Sequence, residues 1–246
     1  MLLALFLVDV AAGLYVFLPL VGRRNAGVKF YRLIFIVNVA LLAAAAAAHL
    51  AAHATQLAIA DGVALALTAF VYAVLRYPKR LVLRVPAVLL GVALVVLGVA
   101  SWQAATRSSL AWSIAGAVTS IALLGSVNLA MLLGHWYLVV RGMPIDPLKR
   151  LTHATLVATI ARVIVVIAAL CVPEMFHAIA LRQGIFFWMR AGWGLLGPLF
   201  LYPMVWGTVK IRSTMAATGI LYVEVVAVII GEVLAAYLAT LVHVPV

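Results

Sequence analysis

The stretch VPAVLLGVALVVLGVASW, residues 85–102, contains no charged side chain and is long enough to cross a bilayer as one α-helix. Seven further runs are also predominantly apolar and at least as long. They span residues 2–21, 33–56, 58–75, 110–140, 151–172, 185–209 and 215–241. Lipid offers no partner to free backbone polar groups, so each run is predicted to be helical. The predicted fold is therefore all-α, a polytopic bundle of eight transmembrane helices in a single membrane domain over residues 1–246.

The composition supports this fold and excludes several other classes. Of the 246 residues, 68% are hydrophobic and 9% are charged, whereas a soluble domain is about half apolar and a quarter charged. Disordered chains require low hydrophobicity, and barrel strands alternate apolar with polar residues, so neither class fits. The single cysteine, Cys171, excludes an intrachain disulfide, covalent c-type haem attachment and an iron–sulfur cluster.

Positive charge is concentrated in alternate connections between the apolar runs. The net charge is +11, and 13 of the 17 Lys and Arg residues lie in these connections. They are Arg23, Arg24, Lys29, Arg32, Arg76, Lys79, Arg80, Arg84, Arg141, Lys149, Arg150, Lys210 and Arg212. By the positive-inside rule this side faces the cytoplasm, which predicts a multi-pass inner-membrane protein with both termini on the periplasmic side. The charge therefore indicates topology within the lipid bilayer and not nucleic-acid binding.

Five ionisable side chains fall within predicted spans, where charges are costly and usually face the bundle interior. They are Asp9, Arg162, Arg190, Glu224 and Glu232. Counting from the connections places Arg162 and Glu224 near the midplane and the other three nearer the outer face. The simplest pairings are Arg162 with Glu224, and Arg190 with Glu232 or Asp9. Such pairs fit structural ion pairs, a proton path or the counter-charges of a bound cofactor.

One group of histidines is predicted near the outer end of the second helix. The polar residues spaced for one face of that helix are Asn38, His49, His53 and Gln56. His49 and His53 lie four residues apart, with Asp61 just beyond the turn. His49 with His53 or His177 could ligate a haem, or the pair His49 and His53 could bind another metal ion with Asp61 or Glu174.

A second pair, His135 and His153, lies on the inner side. Each is nine residues from the middle of the connection between the fifth and sixth runs, so antiparallel helices would hold them at equal depth. Two neutral imidazoles so placed can ligate the iron of haem b from both sides. Alternatively they are interfacial residues, as Trp and Tyr commonly are, and Trp136 and Tyr137 follow His135 directly.

The seventh run contains RAGWGLLGP, residues 190–198, in which three glycines precede a proline. Proline kinks a helix, and glycines allow another backbone or a flat ligand to approach. A quinone or quinol ring would fit here, with Arg190, Trp193 and Glu232 as polar contacts. The alternative is a kink that serves only helix packing.

Eight short-looped spans with internal carboxylates and paired histidines resemble the quinol-interacting membrane subunits of bacterial respiratory complexes. These include b-type cytochrome subunits and polysulfide-reductase-like anchor subunits. The residues that carry the resemblance are Gly134, His135, Trp136, Tyr137, His153, His49, His53 and Asp61. The first class implies haem b ligated by helix histidines, and the second implies quinol binding without haem.

We therefore expect a membrane subunit of a respiratory or electron-transfer complex. It would bind haem b, quinone or both, and pass electrons between the quinone pool and partner subunits, without being a complete oxidoreductase itself. The expected cofactor-binding residues are His135, His153, His49, His53, Arg190, Trp193 and Glu232, with His135 and His153 as the metal ligands. One alternative is a small ion-coupled transporter using Asp9, Glu224 and Glu232. Another is a non-catalytic anchor or assembly subunit.

Overall fold

The computed structural model describes residues 1–74, 84–140, 142–173 and 175–246, without the side chain of Arg84. Within these ranges the chain is predominantly helical and contains no strand. Eight helical segments in these ranges, one of them composite, are long and apolar enough to cross a membrane, which confirms the all-α fold and the predicted number of apolar helical segments. The direction in which they cross stays a prediction. The basic residues and the candidate ligand that lie outside the described residues are Arg76, Lys79, Arg80, Arg141 and Glu174.

Within the described ranges, the seventh span combines α-helical segments with a π-helical one. In chain order the α-helices are α1 (Leu2–Val21), α2 (Arg23–Ala51), α3 (Thr55–Val74), α4 (Arg84–Thr106), α5 (Leu110–Val139), α6 (Asp146–Leu170), α7 (Gly184–Met189), α8 (Gly197–Lys210) and α9 (Thr214–Val242). The π-helical stretch Arg190–Leu196 joins α7 to α8, and together they form the span Gly184–Lys210. A second π-helical stretch, His177–Leu181, precedes α7.

The beginning of α2 is bent away from the rest of the helix. Gly22 and Gly27 have φ angles of 71° and 76°, a left-handed conformation that glycine adopts at little cost. Residues 22–27 therefore form an elbow between α1 and the membrane-spanning part of α2. The indole Nε1 of Trp136, near the end of α5, donates a hydrogen bond of 3.2 Å to the carbonyl of Ala26. This contact places the elbow and the end of α5 at the same end of the bundle.

The end of α2 differs from the predicted one. The helix ends at Ala51, and His53 adopts a left-handed conformation with φ 56°. The N–H of Ala54 donates to the carbonyl of His49 at 2.9 Å, which closes the helix in a Schellman motif. The prediction that His53 and Gln56 share a face of α2 with His49 is therefore wrong. The chain turns before them, and Gln56 belongs to α3.

Helices α1 and α5 form the centre of the bundle, and both bury most of their residues. They contact each other and also α4, α6 and α9. The closest approach is at Gly13 and Gly125, where a Cβ on either residue would overlap the backbone of the other. Helix association in lipid depends on such close packing of small residues. These two glycines therefore set the distance between the central helices.

Gly125→Ala is expected to push α1 and α5 apart and to lower the free energy of unfolding by about 1–3 kcal/mol. The measurement is unfolding of the purified protein in detergent. Gly62→Ala on α3 is the matched control, because its new Cβ meets no described atom within 4 Å. Replacing glycine by alanine raises the helix propensity equally in both variants. Equal free energies of unfolding would therefore contradict the role of the contact between Gly13 and Gly125.

Candidate functional site

The carboxylate of Glu232 on α9 lies at the centre of a buried ionic cluster. Arg162 on α6 donates from Nε to Oε1 at 3.1 Å and from Nη2 to Oε2 at 2.9 Å, so the two planar groups meet side by side. Arg190, in the π-helical stretch, donates from Nη2 to Oε1 at 2.8 Å. None of the three side chains is more than 2% exposed. The predicted pairing of Arg190 with Glu232 is confirmed.

The predicted pairing of Arg162 with Glu224 is wrong. The sixth helix begins at Asp146, before the predicted apolar run, so Arg162 lies further along its span than the sequence count indicated. This places it at the level of Glu232, whereas Glu224 lies two turns away, about 12 Å along α9. Glu224 is also buried, and it forms no ion pair within the described part of the chain.

Arg162 connects this cluster to α5, α4 and α1. Its Nη1 donates to the Thr119 hydroxyl at 3.1 Å and to the carbonyl of Gly116 at 3.3 Å. Its guanidinium carbon lies 5.5 Å from the centre of the Trp102 ring, within the range of a cation–π contact. The Trp102 indole N–H in turn donates to Oδ2 of Asp9 at 2.7 Å. The charged groups of α1, α6, α9 and the seventh span thus form one continuous arrangement.

We call this arrangement the central network. Its members are Asp9, Trp102, Thr119, Arg162, Arg190 and Glu232. Two buried atoms in it, Asp9 Oδ1 and Arg190 Nη1, have no hydrogen-bond partner among the described residues. The Ser120 hydroxyl lies beside both carboxyl groups, although it makes no hydrogen bond to Asp9 Oδ1. Buried polar atoms without partners are uncommon in native structures and call for an explanation.

The charges of the central network balance when both of its carboxyl groups are ionised. Two guanidinium groups then face two carboxylates, whereas protonation of Asp9 leaves a net positive charge. Glu232 is held by both arginines, but Asp9 is bonded by the uncharged indole of Trp102. Asp9 is therefore the member whose protonation changes the net charge of the site without breaking an ion pair.

A break in the seventh span presents Arg190 to the network. The stretch Arg190–Leu196 forms wide π-helical turns, which frequently occur at functional sites. Within it, Gly194 packs against Gly231 of α9 so closely that a Cβ on either would overlap the other's backbone. A Cβ on Gly194 would also meet Arg190 Nη1. The predicted irregularity is confirmed, and Gly194 serves the approach of another backbone.

The structure does not bring Trp193 together with Arg190 and Glu232. The indole is 57% exposed on the outer surface of the seventh span. There it lines an open groove of about 590 Å³ together with Gly192 and Phe200. Arg190 and Glu232 lie on the buried side of the same stretch.

His135 and His153 have exposed side chains that contact different helices. Nδ1 of His135 lies 3.3 Å from the hydroxyl of Tyr222 on α9. Nδ1 of His153 lies 3.0 Å from the hydroxyl of Tyr202 on α8, and its ring lies 4.2 Å from that of Trp206. The two imidazoles therefore contact separate partners at the bundle surface and do not converge in its interior.

His49 and Asp61 form a second buried polar pair, between α2 and α3. His49 Nδ1 lies 2.6 Å from Asp61 Oδ2, and both side chains are fully buried. His49 Nε2 and Asp61 Oδ1 have no partner within the described ranges. His53 is exposed in the turn and does not join them. Across the residues that the structure describes, no three His, Cys, Asp or Glu side chains are grouped to hold a metal ion.

Sequence reasoning missed Trp102, which joins the two halves of the central network. The feature that could have pointed to Trp102 is Gly98, which lies one turn before it on α4. A Cβ on Gly98 would lie 3.2 Å from Asp9 Oδ1, so the absent side chain leaves room for the carboxyl group.

No protein family, curated protein or solved structure matches the chain. The arrangement of its buried side chains therefore carries the functional argument.

Glu232→Gln would leave two buried guanidinium charges facing a neutral amide. We expect it to destabilise the protein by about 3–5 kcal/mol, the usual cost of removing one partner of a buried ion pair. Thermal and denaturant unfolding in detergent would measure the loss. The matched control is Glu224→Gln on the same helix, which is also buried and for which we expect a clearly smaller effect. Similar losses of stability in both variants would show that Glu232 does not stabilise the protein through its ion pairs.

Proposed function

We propose that the chain is an integral membrane subunit of an electron-transfer complex that interacts with quinone. In this proposal it lies in the inner membrane with its basic connections on the cytoplasmic side. The observation that supports it most is the central network, whose charged side chains are fully buried among apolar spans. Charges at membrane depth are costly, and they commonly mark ion or proton pathways. Reduction of a quinone to a quinol consumes protons, so a quinone-reactive subunit needs such groups.

Asp9 is the residue that we assign to proton exchange. Both oxygens of Glu232 accept hydrogen bonds from guanidinium groups, whereas Asp9 accepts one from Trp102. Its second oxygen has no partner in the described part of the chain and can take up a proton. The nearby Ser120 hydroxyl offers a route between the two carboxyl groups, since a hydroxyl both donates and accepts.

The groove beside Trp193 is the surface that we assign to the quinone ring. Its volume of about 590 Å³ falls within the range of small-ligand sites, about 300–1,000 Å³. The lining residues are Ile185, Trp188, Met189, Gly192, Trp193, Leu196, Gly197 and Phe200. A flat ring would stack on the exposed indole. Gly194 follows the groove-lining Trp193 in the chain and lies against Arg190, so the backbone of this stretch separates the groove from the central network.

Haem b does not gain support from the geometry of its expected ligands. His135 and His153 are each placed beside a tyrosine of a different helix. We therefore propose quinone as the cofactor and assign the electron carriers to partner subunits of the complex.

A small ion-coupled transporter is the second candidate, and the broken seventh span favours it. Interrupted helices in transporters expose backbone groups near the bilayer midplane, where substrates and coupling ions bind. Here the break packs against Gly231, next to Glu232. In this reading Asp9 and Glu232 bind the coupling ion.

Quinone extraction from the purified protein tests the first proposal. We expect quinone in the wild-type extract and at least a severalfold loss in Trp193→Ala, because the stacking surface is removed. Phe70→Ala on α3 is the matched control, since its aromatic side chain is also exposed on a membrane span. Absence of quinone from the wild type, or equal retention in both variants, would contradict the assignment.

Two further measurements separate the alternatives. Proton flux into liposomes containing the chain alone, if lost in Asp9→Asn, would favour the transporter. Reduced-minus-oxidised haem b bands that disappear in His135→Ala or His153→Ala would reinstate these residues as ligands.

A further inference from the structure

The residues that follow α9 fold back into the bundle. His243 adopts a left-handed conformation with φ 59°, which ends the helix. Its Nδ1 lies 2.6 Å from the carbonyl oxygen of Thr106 at the end of α4, so Nδ1 carries the proton and donates. The next three residues are buried, and Val246 has no exposed surface. We call residues 243–246 the tail.

The tail reaches the central network. Nε of Arg190 donates to the main-chain oxygen of Val246 at 3.4 Å, while Nη2 of the same guanidinium binds the carboxylate of the network. A Cβ on Gly116 would lie 3.0 Å from Cβ of Pro245 and 3.0 Å from the ring of Trp102. The tail therefore packs beside the indole that joins the two halves of the network.

The tail covers most of the depth between the network and this end of the bundle. Glu232 lies about 16 Å before His243 along α9, at 1.5 Å per residue. An extended segment of three residues spans roughly 10 Å, so residues 244–246 occupy the larger part of this distance. Their two valine side chains belong to an apolar cluster that also includes Val166 and Phe187. Apolar side chains thus fill the space above the charged groups.

Polar side chains line the end of the bundle that the tail covers. The hydroxyl of Ser113 lies 2.7 Å from that of Ser108, which lies 2.8 Å from that of Thr106. All three side chains are buried. Ser113 shares the buried face of α5 with Gly116 and Ser120, because residues three, four and seven apart lie on one side of a helix. The hydroxyls therefore lead from the connection between α4 and α5 toward the network.

We propose that the tail is a plug, which closes a polar entry path between the central network and the aqueous phase at this end of the bundle. The valines exclude water, whereas the hydroxyls of Thr106, Ser108 and Ser113 offer donors and acceptors to water once the tail lifts. A short segment that belongs to no span can be displaced at lower cost than a helix. The role of this path in proton exchange rests on the proposed function, whereas the closure itself does not.

Thiol labelling of the protein in nanodiscs, which expose both faces, tests the plug. The reporter is Ser120→Cys in a Cys171→Ser background, because Cys171 is exposed and would itself react. The reagent is sulfonatoethyl methanethiosulfonate, an anion that does not cross lipid. We expect slow labelling while the tail is intact. Deletion of residues 244–246 should accelerate it at least about tenfold, because a buried site reacts only when its cover opens.

His243→Ala is the second variant, and it decides alone if the deletion variant does not fold. It removes the bond to Thr106, so labelling should again be faster, though by less than in the deletion. The matched control is His53→Ala, since His53 is also exposed and left-handed just beyond a helix end. This control should leave labelling slow. A second reporter, Thr68→Cys, is buried on α3 and should not respond to either tail variant.

Three outcomes would overturn the proposal. Rapid labelling of Ser120→Cys with the tail intact would mean that water reaches the network by another route. Unchanged slow labelling in a folded tail variant would mean that the tail is not the barrier. Equal acceleration at both reporters would reduce the tail to a general packing element. Because no quinone takes part, failure of this test leaves the extraction experiment unaffected, and the reverse also holds.

Discussion

The attachment of two guanidinium groups to the Glu232 carboxylate determines how the second half of the bundle is assembled. Helix α6 supplies Arg162, the seventh span supplies Arg190, and α9 supplies the carboxylate. An unpaired charge among these groups would be costly in lipid, so none of the three spans can shift alone. The contact between Gly194 and Gly231 brings the backbones close enough for Arg190 to reach. Through Trp102, the same constraint extends to α1 in the first half.

The sequence predicts the number of spans well, because lipid forces every long apolar run to satisfy its own backbone as a helix. Contacts between helices are harder to predict, since they depend on where each helix begins and ends. The start of α6 at Asp146 shifts Arg162 to the level of Glu232. The turn at His53 removes that residue from the helix that bears His49. Trp102 carries no charge, so a search for charged residues within the spans does not find its contact with Asp9.

The apolar and charged sites are distributed over different parts of the bundle. The central network lies inside, the groove beside Trp193 lies on the seventh span, and a further cavity near Tyr31 lies among the first four helices. The backbone of the π-helical stretch separates the groove from the network, whereas the cavity is lined by apolar and aromatic side chains. This separation is consistent with a ligand that binds at the surface of the seventh span while protons are exchanged inside the bundle.

The π-helical stretch Arg190–Leu196 also constrains the length of the chain at this point. Wide turns accommodate one residue more than an α-helix of the same rise. Deleting a single residue here would let the stretch close into regular α-helix without shortening the span appreciably. The helices on either side would keep nearly their present orientation, because the wide turns already accommodate the extra residue. Side chains within the stretch would face other directions, so a deletion here would change the local surroundings of the central network and leave the two flanking helices in place.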